Sequence, residues 1–244
     1  MSASGGLQCQ VTALWTRAVE QETDPDYVPF ARTRLKTARI FVDGLGTSYD
    51  WPRIQPGPED LINPNDRAVL MVSAECFEEL RHKFAKFDHI LTDTSCSRMG
   101  ENLTVTGICP DSVCVGDVFV NPNSTLKLEV ASPRCTCSYT DVRYGKPYAR
   151  NGIRFFCRKS GLGGWFCRVL QEGDVTEGDT LVRTSCPRPN WSIRRISSLV
   201  YHDANAANKI RTWGGTRIEL LQLATGVPEL AWYLQYPNTS CILT

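Results

Sequence analysis

Short apolar segments separated by glycine and proline fill the second half of this chain, and they limit the folds it can adopt. The segments lie at residues 113–120, 126–130, 153–157, 165–170 and 181–184. In residues 126–130 apolar side chains alternate with charged ones, which is the period of a half-buried strand. Many short strands joined by turn residues are typical of a barrel or a sandwich. We therefore predict a mainly β fold.

The first half of the chain combines strand and helix patterns. We predict strands at residues 11–15, 37–42 and 68–72. Large apolar residues at positions 77, 80, 84 and 87 fall on one face of a helix, and Ser73 precedes them as a candidate N-cap. Seven glycine and proline residues lie between positions 44 and 64, which predicts a long irregular loop there.

A change in pattern near residue 186 predicts a second, helical unit. Pro187 and Pro189 end the strand pattern, and Asn190 or Ser192 can cap a helix after them. Further helical patterns lie at residues 204–211 and 217–224. We expect a β-barrel domain at residues 1–185 and a small all-α appendage at residues 186–244.

Composition excludes several classes of protein. The chain has 27 Lys and Arg against 26 Asp and Glu, and this balance gives no reason to expect a nucleic-acid partner. Its longest apolar run, at residues 68–72, is too short to span a membrane. The N-terminus lacks the pattern of a secretory signal, so we expect a cytoplasmic protein. The 11 cysteines are then reduced, and most serve as small buried apolar residues.

Candidate chemistry lies in residues 132–137, Ser-Pro-Arg-Cys-Thr-Cys, which directly follow a predicted strand. The proline ends the hydrogen bonding of that strand. The cation of Arg134 favours the thiolate form of Cys135 and Cys137, and thiolates bind soft transition metals. Two ordinary loop cysteines are the alternative interpretation. The spacing of Cys109 and Cys114 does not match that of a zinc knuckle.

Other catalytic motifs are missing from the sequence. Residues 161–164, Gly-Leu-Gly-Gly, have their third glycine at the wrong position for the dinucleotide fingerprint and predict a tight turn before a strand. The motifs of serine hydrolases, P-loop NTPases and zinc proteases do not occur. Redox chemistry in this chain would therefore take its electrons from another protein.

Several segments, taken together, resemble MOSC domains. Residues 100–107, Gly-Glu-Asn-Leu-Thr-Val-Thr-Gly, and residues 113–117, Val-Cys-Val-Gly-Asp, resemble two consecutive segments of that family. Residues 128–137 resemble its strand and cysteine loop, and residues 164–179 resemble its closing strands. The segment at residues 189–193 and the helical tail resemble the three-helix appendage of the YiiM-like subgroup. The resemblance covers residues 100–244 well and residues 1–99 poorly.

This resemblance implies a MOSC-type β-barrel with peripheral helices that binds the molybdenum cofactor, molybdopterin with its metal. It implies a reductase that converts N-hydroxylated compounds, such as hydroxylaminopurine-type bases, hydroxylamines and amidoximes, to amines. A separate flavin- or haem-containing protein would donate the electrons. The alternatives are a non-catalytic carrier of the cofactor or of a persulfide, and a barrel that has lost the cofactor. At the level of the family, the resemblance also implies pyridoxal phosphate binding.

In the family a loop cysteine is the sulfur ligand of molybdenum. The YiiM-like pattern matches Cys137, whereas the pattern of the mitochondrial amidoxime-reducing relatives matches Cys135. The surrounding residues are closer to the YiiM-like pattern, so we expect Cys137 to be the ligand, with Cys135 as the alternative.

Arginine and amide side chains near this loop are candidates for binding the anionic cofactor, because guanidinium groups bind phosphate in a bidentate manner. The candidates are Arg67, Arg98, Glu101, Asn102 and Arg134. Residues 62–69 match the family's His-Gly-Gly-x-x-Lys-Ala-Val segment only in part. They lack the His-Gly-Gly, and Arg67 takes the position of the lysine. We expect Arg158 and Arg168 to be solvated.

Overall fold

The structure is a computed structural model that describes residues 6–16, 32–42, 67–136, 138–145 and 152–201. Its strands are β1 (Gln8–Thr16), β2 (Thr33–Leu35), β3 (Thr37–Ile40), β4 (Val69–Ser73), β5 (Leu103–Thr106), β6 (Val118–Val120), β7 (Lys127–Pro133), β8 (Trp165–Gln171), β9 (Gly173–Thr176) and β10 (Thr180–Ser185). Its α-helices are α1 (Ala74–Lys83), α2 (Asp88–Leu91), α3 (Ser138–Arg143), α4 (Ile153–Ser160) and α5 (Ile193–Tyr201). A 3-10 turn, Ala85–Phe87, joins α1 to α2.

Seven of these strands close a barrel in the order β10-β6-β7-β8-β4-β5-β1. Closure depends on β1, which pairs with β5 through its central residues and with β10 through Gln8, Cys9 and Gln10. The β4–β5 pair is parallel, and the other pairs of the barrel are antiparallel. Strand β2 extends the sheet beside β1, while β3 and β9 form a separate ribbon. The predicted mainly β barrel with peripheral helices is confirmed.

Strand β4 is buried along its whole length because both of its faces are covered. Val69 and Met71 point into the cluster of apolar side chains that fills the barrel. Leu70 and Val72 point outward into a second apolar cluster, which α1 and α4 cover with Phe77, Cys157 and their neighbours. Helices α1 and α4 are therefore packed against the outer face of β4.

One strand prediction in the second half of the chain is wrong, and another, which Gly116 and Asp117 were expected to interrupt, is confirmed in part. Residues 153–157 form part of helix α4, because Arg154 and Arg158 then fall one turn apart while the apolar residues cover β4. The predicted strand at residues 113–120 is a strand only at Val118–Val120, since Gly116 adopts a φ of 87° and turns the chain. The tight turn predicted at residues 161–164 is confirmed, with Gly161 ending α4 in the left-handed conformation.

Most predictions for the first half fall on described residues. Strands β1, β3 and β4 confirm the predictions at residues 11–15, 37–42 and 68–72. Helix α1 begins after Ser73, as predicted, although the Ser73 hydroxyl lies 3.3 Å from the Cys76 sulfur and does not cap the helix. The loop predicted at residues 44–64 lies outside the described residues.

Helix α5 is joined closely to the barrel. Ile193 and Ile196 are fully buried in the apolar cluster inside it. The guanidinium of Arg194 lies 2.6 Å from Glu79 of α1 and 2.8 Å from Asp111. The remainder of the predicted appendage, after Tyr201, lies outside the described residues, and the division at residue 185 stays a prediction. In the part of the chain that the structure describes, no helix has the length and apolar character needed to cross a membrane.

The turn before β8 makes a prediction about stability. Gly164 has a φ of 87°, and a Cβ atom at this residue would lie 2.2 Å from the carbonyl oxygen of Met71. At Gly178 φ is 98°, but a Cβ atom would meet nothing within 4 Å. Gly178→Ala should cost about 1 to 3 kcal/mol of backbone strain. Gly164→Ala should cost at least about 2 kcal/mol more, or prevent folding, because the clash adds to the same strain. Urea denaturation of both variants measures the difference, and equal losses would contradict it.

Candidate functional site

The predicted cysteine loop leaves the barrel where β7 ends at Pro133. The backbone N–H of Arg134 donates to the carbonyl oxygen of Gly164 over 2.9 Å, which fixes the first residue of the loop. Cys135 is partly exposed and packs against the apolar cluster inside the barrel. Cys137, the predicted metal ligand, lies outside the described residues. The choice between the two sulfur atoms therefore stays a prediction.

Thr136, between the two cysteines, is held on both sides. Its hydroxyl donates to the carbonyl oxygen of Arg154 over 2.9 Å, and its own carbonyl oxygen accepts from Nε of Arg158 over 2.8 Å. A Cβ atom at Gly163 would lie 2.7 Å from the Thr136 methyl group, so the loop and the turn pack as closely as glycine allows. These contacts fix the loop against α4.

Helix α4 carries two buried arginines that the sequence analysis missed. Arg154 is 4% exposed, and its Nε lies 2.7 Å from the carboxylate of Asp141, which is itself buried. Arg158 is 5% exposed, so the expectation that it is solvated is wrong. The side chain of Arg158 reaches the cysteine loop, whereas that of Arg154 reaches Asp141 of α3. Their i, i+4 spacing was the available signal for a shared helical face.

Glu101 holds the neighbouring loop in shape. Its buried carboxylate accepts from the backbone N–H groups of Arg98, over 3.1 Å, and Met99, over 2.7 Å. The hydroxyl of Thr104 lies 3.3 Å from the same carboxylate. Because both oxygens are used, the structure gives Glu101 a positioning role, and its contact with a cofactor stays a prediction.

Asn102 places an amide donor in the interior with no acceptor among the residues that the structure describes. Its Oδ1 accepts from the backbone N–H of Leu70 over 2.9 Å, which fixes the side chain. Its Nδ2 is buried and has no hydrogen-bond partner among the described residues. A buried donor without a partner costs free energy, so an acceptor from a ligand would stabilise it.

The three arginines predicted to bind the cofactor make different contacts. Nη1 of the buried Arg134 donates to the carbonyl oxygen of Met99, which joins the cysteine loop to the loop at residues 98–102. The guanidinium of Arg98 stacks 3.7 Å above the ring of Phe77. Burial lowers the pKa of Arg98, although the carboxylate of Glu101 opposes this effect. Arg67 lies 5.5 Å from the centre of the Phe166 ring.

Positive charge prevails around the two loops. Arg98 and Arg134 belong to these loops, Arg158 donates to Thr136, and Arg143 donates to the sulfur of Cys96 just before the loop at residues 98–102. The buried carboxylates among them, within the described ranges, are those of Glu101 and Asp141. Such an arrangement attracts an anion, and guanidinium groups suit phosphate in particular.

Comparisons with known proteins agree with the resemblance. The profile of the MOSC domain matches residues 58–182. A protein named "Reductase" from Gibberella moniliformis (strain M3125 / FGSC 7600) is 34% identical over 102 residues, which cover 41% of this chain and 17% of that protein. "Uncharacterized protein YflK" from Bacillus subtilis (strain 168) is 30% identical over 150 residues, covering 61% of this chain and 62% of YflK. The chain thus spans less than two thirds of the length of either relative.

Solved structures share the fold. A hypothetical protein matches with a TM-score of 0.61 at 16% identity, covering 90% of both chains. YiiM from Escherichia coli has a TM-score of 0.56 at 15% identity, covering 83% of this chain and 92% of YiiM. YiiM from Geobacillus stearothermophilus has a TM-score of 0.56 at 21% identity, covering 88% and 98%. At these identities the likeness shows the fold alone.

The ion pair beneath the cysteine loop makes a second prediction about stability. Asp141→Ala should destabilise the protein by about 3 kcal/mol or more, because it leaves the cation of Arg154 buried without its carboxylate. Asp174→Ala is the matched control, since the Arg39–Asp174 pair is exposed and its atoms are 3.5 Å apart. Its effect should be at least threefold smaller. Equal shifts in the urea midpoint would contradict the buried pair's role.

Proposed function

This chain belongs to the MOSC domain family, and from that premise we propose that it binds the molybdenum cofactor and reduces N-hydroxylated compounds to amines. MOSC domains are associated with this cofactor at the level of the family. The reductase activity is consistent with the name of the Gibberella moniliformis relative. Substrates of the proposed reaction are hydroxylaminopurine-type bases, hydroxylamines and amidoximes.

The observation that carries the proposal is the buried amide of Asn102 beside the arginine-lined loops. Its Nδ2 is oriented by the bond that Oδ1 makes to Leu70, and it has no acceptor among the described residues. The bond between Arg134 and Met99 joins its loop to the cysteine loop. An anionic, acceptor-rich ligand fits a donor and buried cations placed together in this way.

The residues that would hold the cofactor follow from these contacts. Arg134, Arg98 and Arg67 supply positive charge for the phosphate, and Asn102 supplies a hydrogen bond to an acceptor. Cys137 would provide the sulfur ligand, with Cys135 as the alternative. When bound, the cofactor supplies a metal that changes oxidation state by two electrons and accepts oxygen, as cleavage of an N–O bond requires.

The chain's own side chains prepare the loop for this role. Arg134 is a buried cation that directly precedes Cys135 in the loop. Thr136, the residue after Cys135, is fixed by Arg154 and Arg158. Binding to a rigid loop loses less conformational entropy than binding to a mobile one.

Electrons for the reaction would come from a second protein. The sequence lacks a dinucleotide-binding fingerprint, so the proposal includes a separate donor that carries flavin or haem. A strong chemical reductant can replace this donor in an assay.

The two cysteines can be separated by mutation. We expect Cys137→Ala to abolish reduction of a hydroxylamine and to leave the fold intact, because it removes the sulfur ligand. Cys135→Ala should retain part of the activity. Molybdenum and pterin content is measured beside turnover with a chemical reductant, using protein from a host that makes the cofactor. Greater loss in Cys135→Ala would reverse the assignment.

The same assay separates the enzyme from the alternatives. Wild-type protein that carries molybdenum and pterin but shows no turnover would favour a non-catalytic carrier. Wild-type protein without molybdenum or pterin would contradict the proposed function.

Asn102→Asp tests the amide donor by itself. The substitution keeps an oxygen for the N–H of Leu70 and replaces Nδ2 with an oxygen that repels an anion. We expect retention of the cofactor to fall about tenfold or more, which corresponds to a loss of about 1.4 kcal/mol. Asn190→Asp makes the same change at an exposed position and should have no effect. Equal cofactor content in both variants would contradict the role of Asn102.

A further inference from the structure

Three side chains that could bind a metal ion converge outside the cysteine loop. Cys114 and Asp117 lie in the turn that leads into β6, and Cys186 directly follows β10. The two sulfur atoms and a carboxylate oxygen of Asp117 all lie within 4.8 Å of one another. The proposed reductase chemistry uses none of them.

The local fold brings these distant residues together. Gly116, with a φ of 87°, turns the chain between Cys114 and Asp117, and a Cβ atom there would lie 2.9 Å from Pro187. The backbone N–H of Val115 donates to the carbonyl oxygen of Trp191 over 3.1 Å. The turn and the segment after β10 therefore pack directly against each other, in a geometry that only glycine permits at residue 116.

The carboxylate of Asp117 is fixed through one oxygen and open at the other. Its Oδ2 accepts from the backbone N–H of Cys114 over 2.9 Å and from Nη1 of Arg183 over 3.1 Å. Its Oδ1 is buried and has no hydrogen-bond partner among the described residues. Carboxylates that ligate metals are oriented by hydrogen bonds of this kind. The thiol of Cys186 is a hydrogen-bond partner of this carboxylate, and a cation that replaces the thiol proton would bind both groups.

We propose that Cys114, Asp117 and Cys186 bind a Zn²⁺ ion. Two thiolates and one carboxylate are ligands that zinc accepts, whereas calcium and magnesium require oxygen ligands. Three anionic ligands, a divalent ion and the neighbouring cation of Arg183 sum to a net charge of zero. Cys186 is partly exposed, which gives the ion a path from solvent and leaves a position for water. This site is independent of the molybdenum cofactor.

A zinc ion at this point would join two parts of the chain that the sequence separates widely. It would connect the turn before β6 to the segment between β10 and α5. Because the ion binds the folded arrangement and not the unfolded chain, it would raise the stability of the protein in proportion to its binding.

The test uses the full chain, reduced and freed of metal by a chelator. Titration with CoCl₂ should produce thiolate-to-cobalt charge-transfer bands and the visible bands of tetrahedral Co²⁺, saturating at about one ion per chain. Added ZnCl₂ should displace the cobalt and raise Tm. In Cys186→Ser and in Cys114→Ser the affinity should fall at least about 100-fold, since loss of even an outer-shell partner costs 10- to 100-fold.

Cys109→Ser provides the matched control, because Cys109 is a partly exposed thiol near the same turn that does not belong to the cluster. It should bind cobalt like the wild type. Far-UV circular dichroism and Tm in chelator, unchanged between Cys186→Ser and the wild type, show that the variant is folded. Absence of cobalt bands in the reduced wild type overturns the site. Bands that survive in both Cys186→Ser and Cys114→Ser overturn it equally.

Discussion

The turn at residues 161–164 packs closely against strand β4, and this contact positions the cysteine loop and the end of helix α4. Gly164 has no side chain where Met71 presents its carbonyl oxygen, and its own carbonyl oxygen receives the N–H of Arg134. Gly163 lies against Thr136, and Gly161 ends α4. One short turn thus connects a barrel strand, a peripheral helix and the candidate site. A larger residue at Gly164 would act on all three at once.

The candidate site combines rigid backbone with positive charge. The cysteine loop and the loop at residues 98–102 are held by carboxylate, hydroxyl and guanidinium groups that bond to main-chain atoms. Several arginines serve both purposes, because a guanidinium has five donors and can bond to the protein while its charge acts on a ligand. Asn102 differs from them because its fixed Nδ2 group has no acceptor within the described ranges of the chain. The positive charge of the arginines therefore favours any anion. The amide of Asn102 is more selective, because a ligand must place a hydrogen-bond acceptor beside its Nδ2.

The sequence correctly predicted those elements whose apolar residues recur with the spacing of a strand or of a helix, but not of both. Apolar and charged residues alternate within residues 126–130, so β7 was predictable. The apolar residues at positions 77, 80 and 84 have helical spacing, so α1 was predictable as well. Residues 153–157 form a short apolar run that fits either a buried strand or a helix, and packing against β4 decided for the helix. Arg134 and Cys135 could be placed from their motif. The contacts of Asp141 with Arg154, and of Cys114 with Cys186, arise from tertiary folding and have no signature in spacing.

Apolar side chains from β1, β4, β5, β7 and β8 form the cluster inside the barrel, together with Ile193 and Ile196 of α5. The candidate site lies outside this cluster, in segments that follow the strands, such as the loop after β7. Selection for a new substrate could then alter those segments while the strands of the barrel stay the same. Related proteins can therefore share the barrel and differ in the reaction they catalyse.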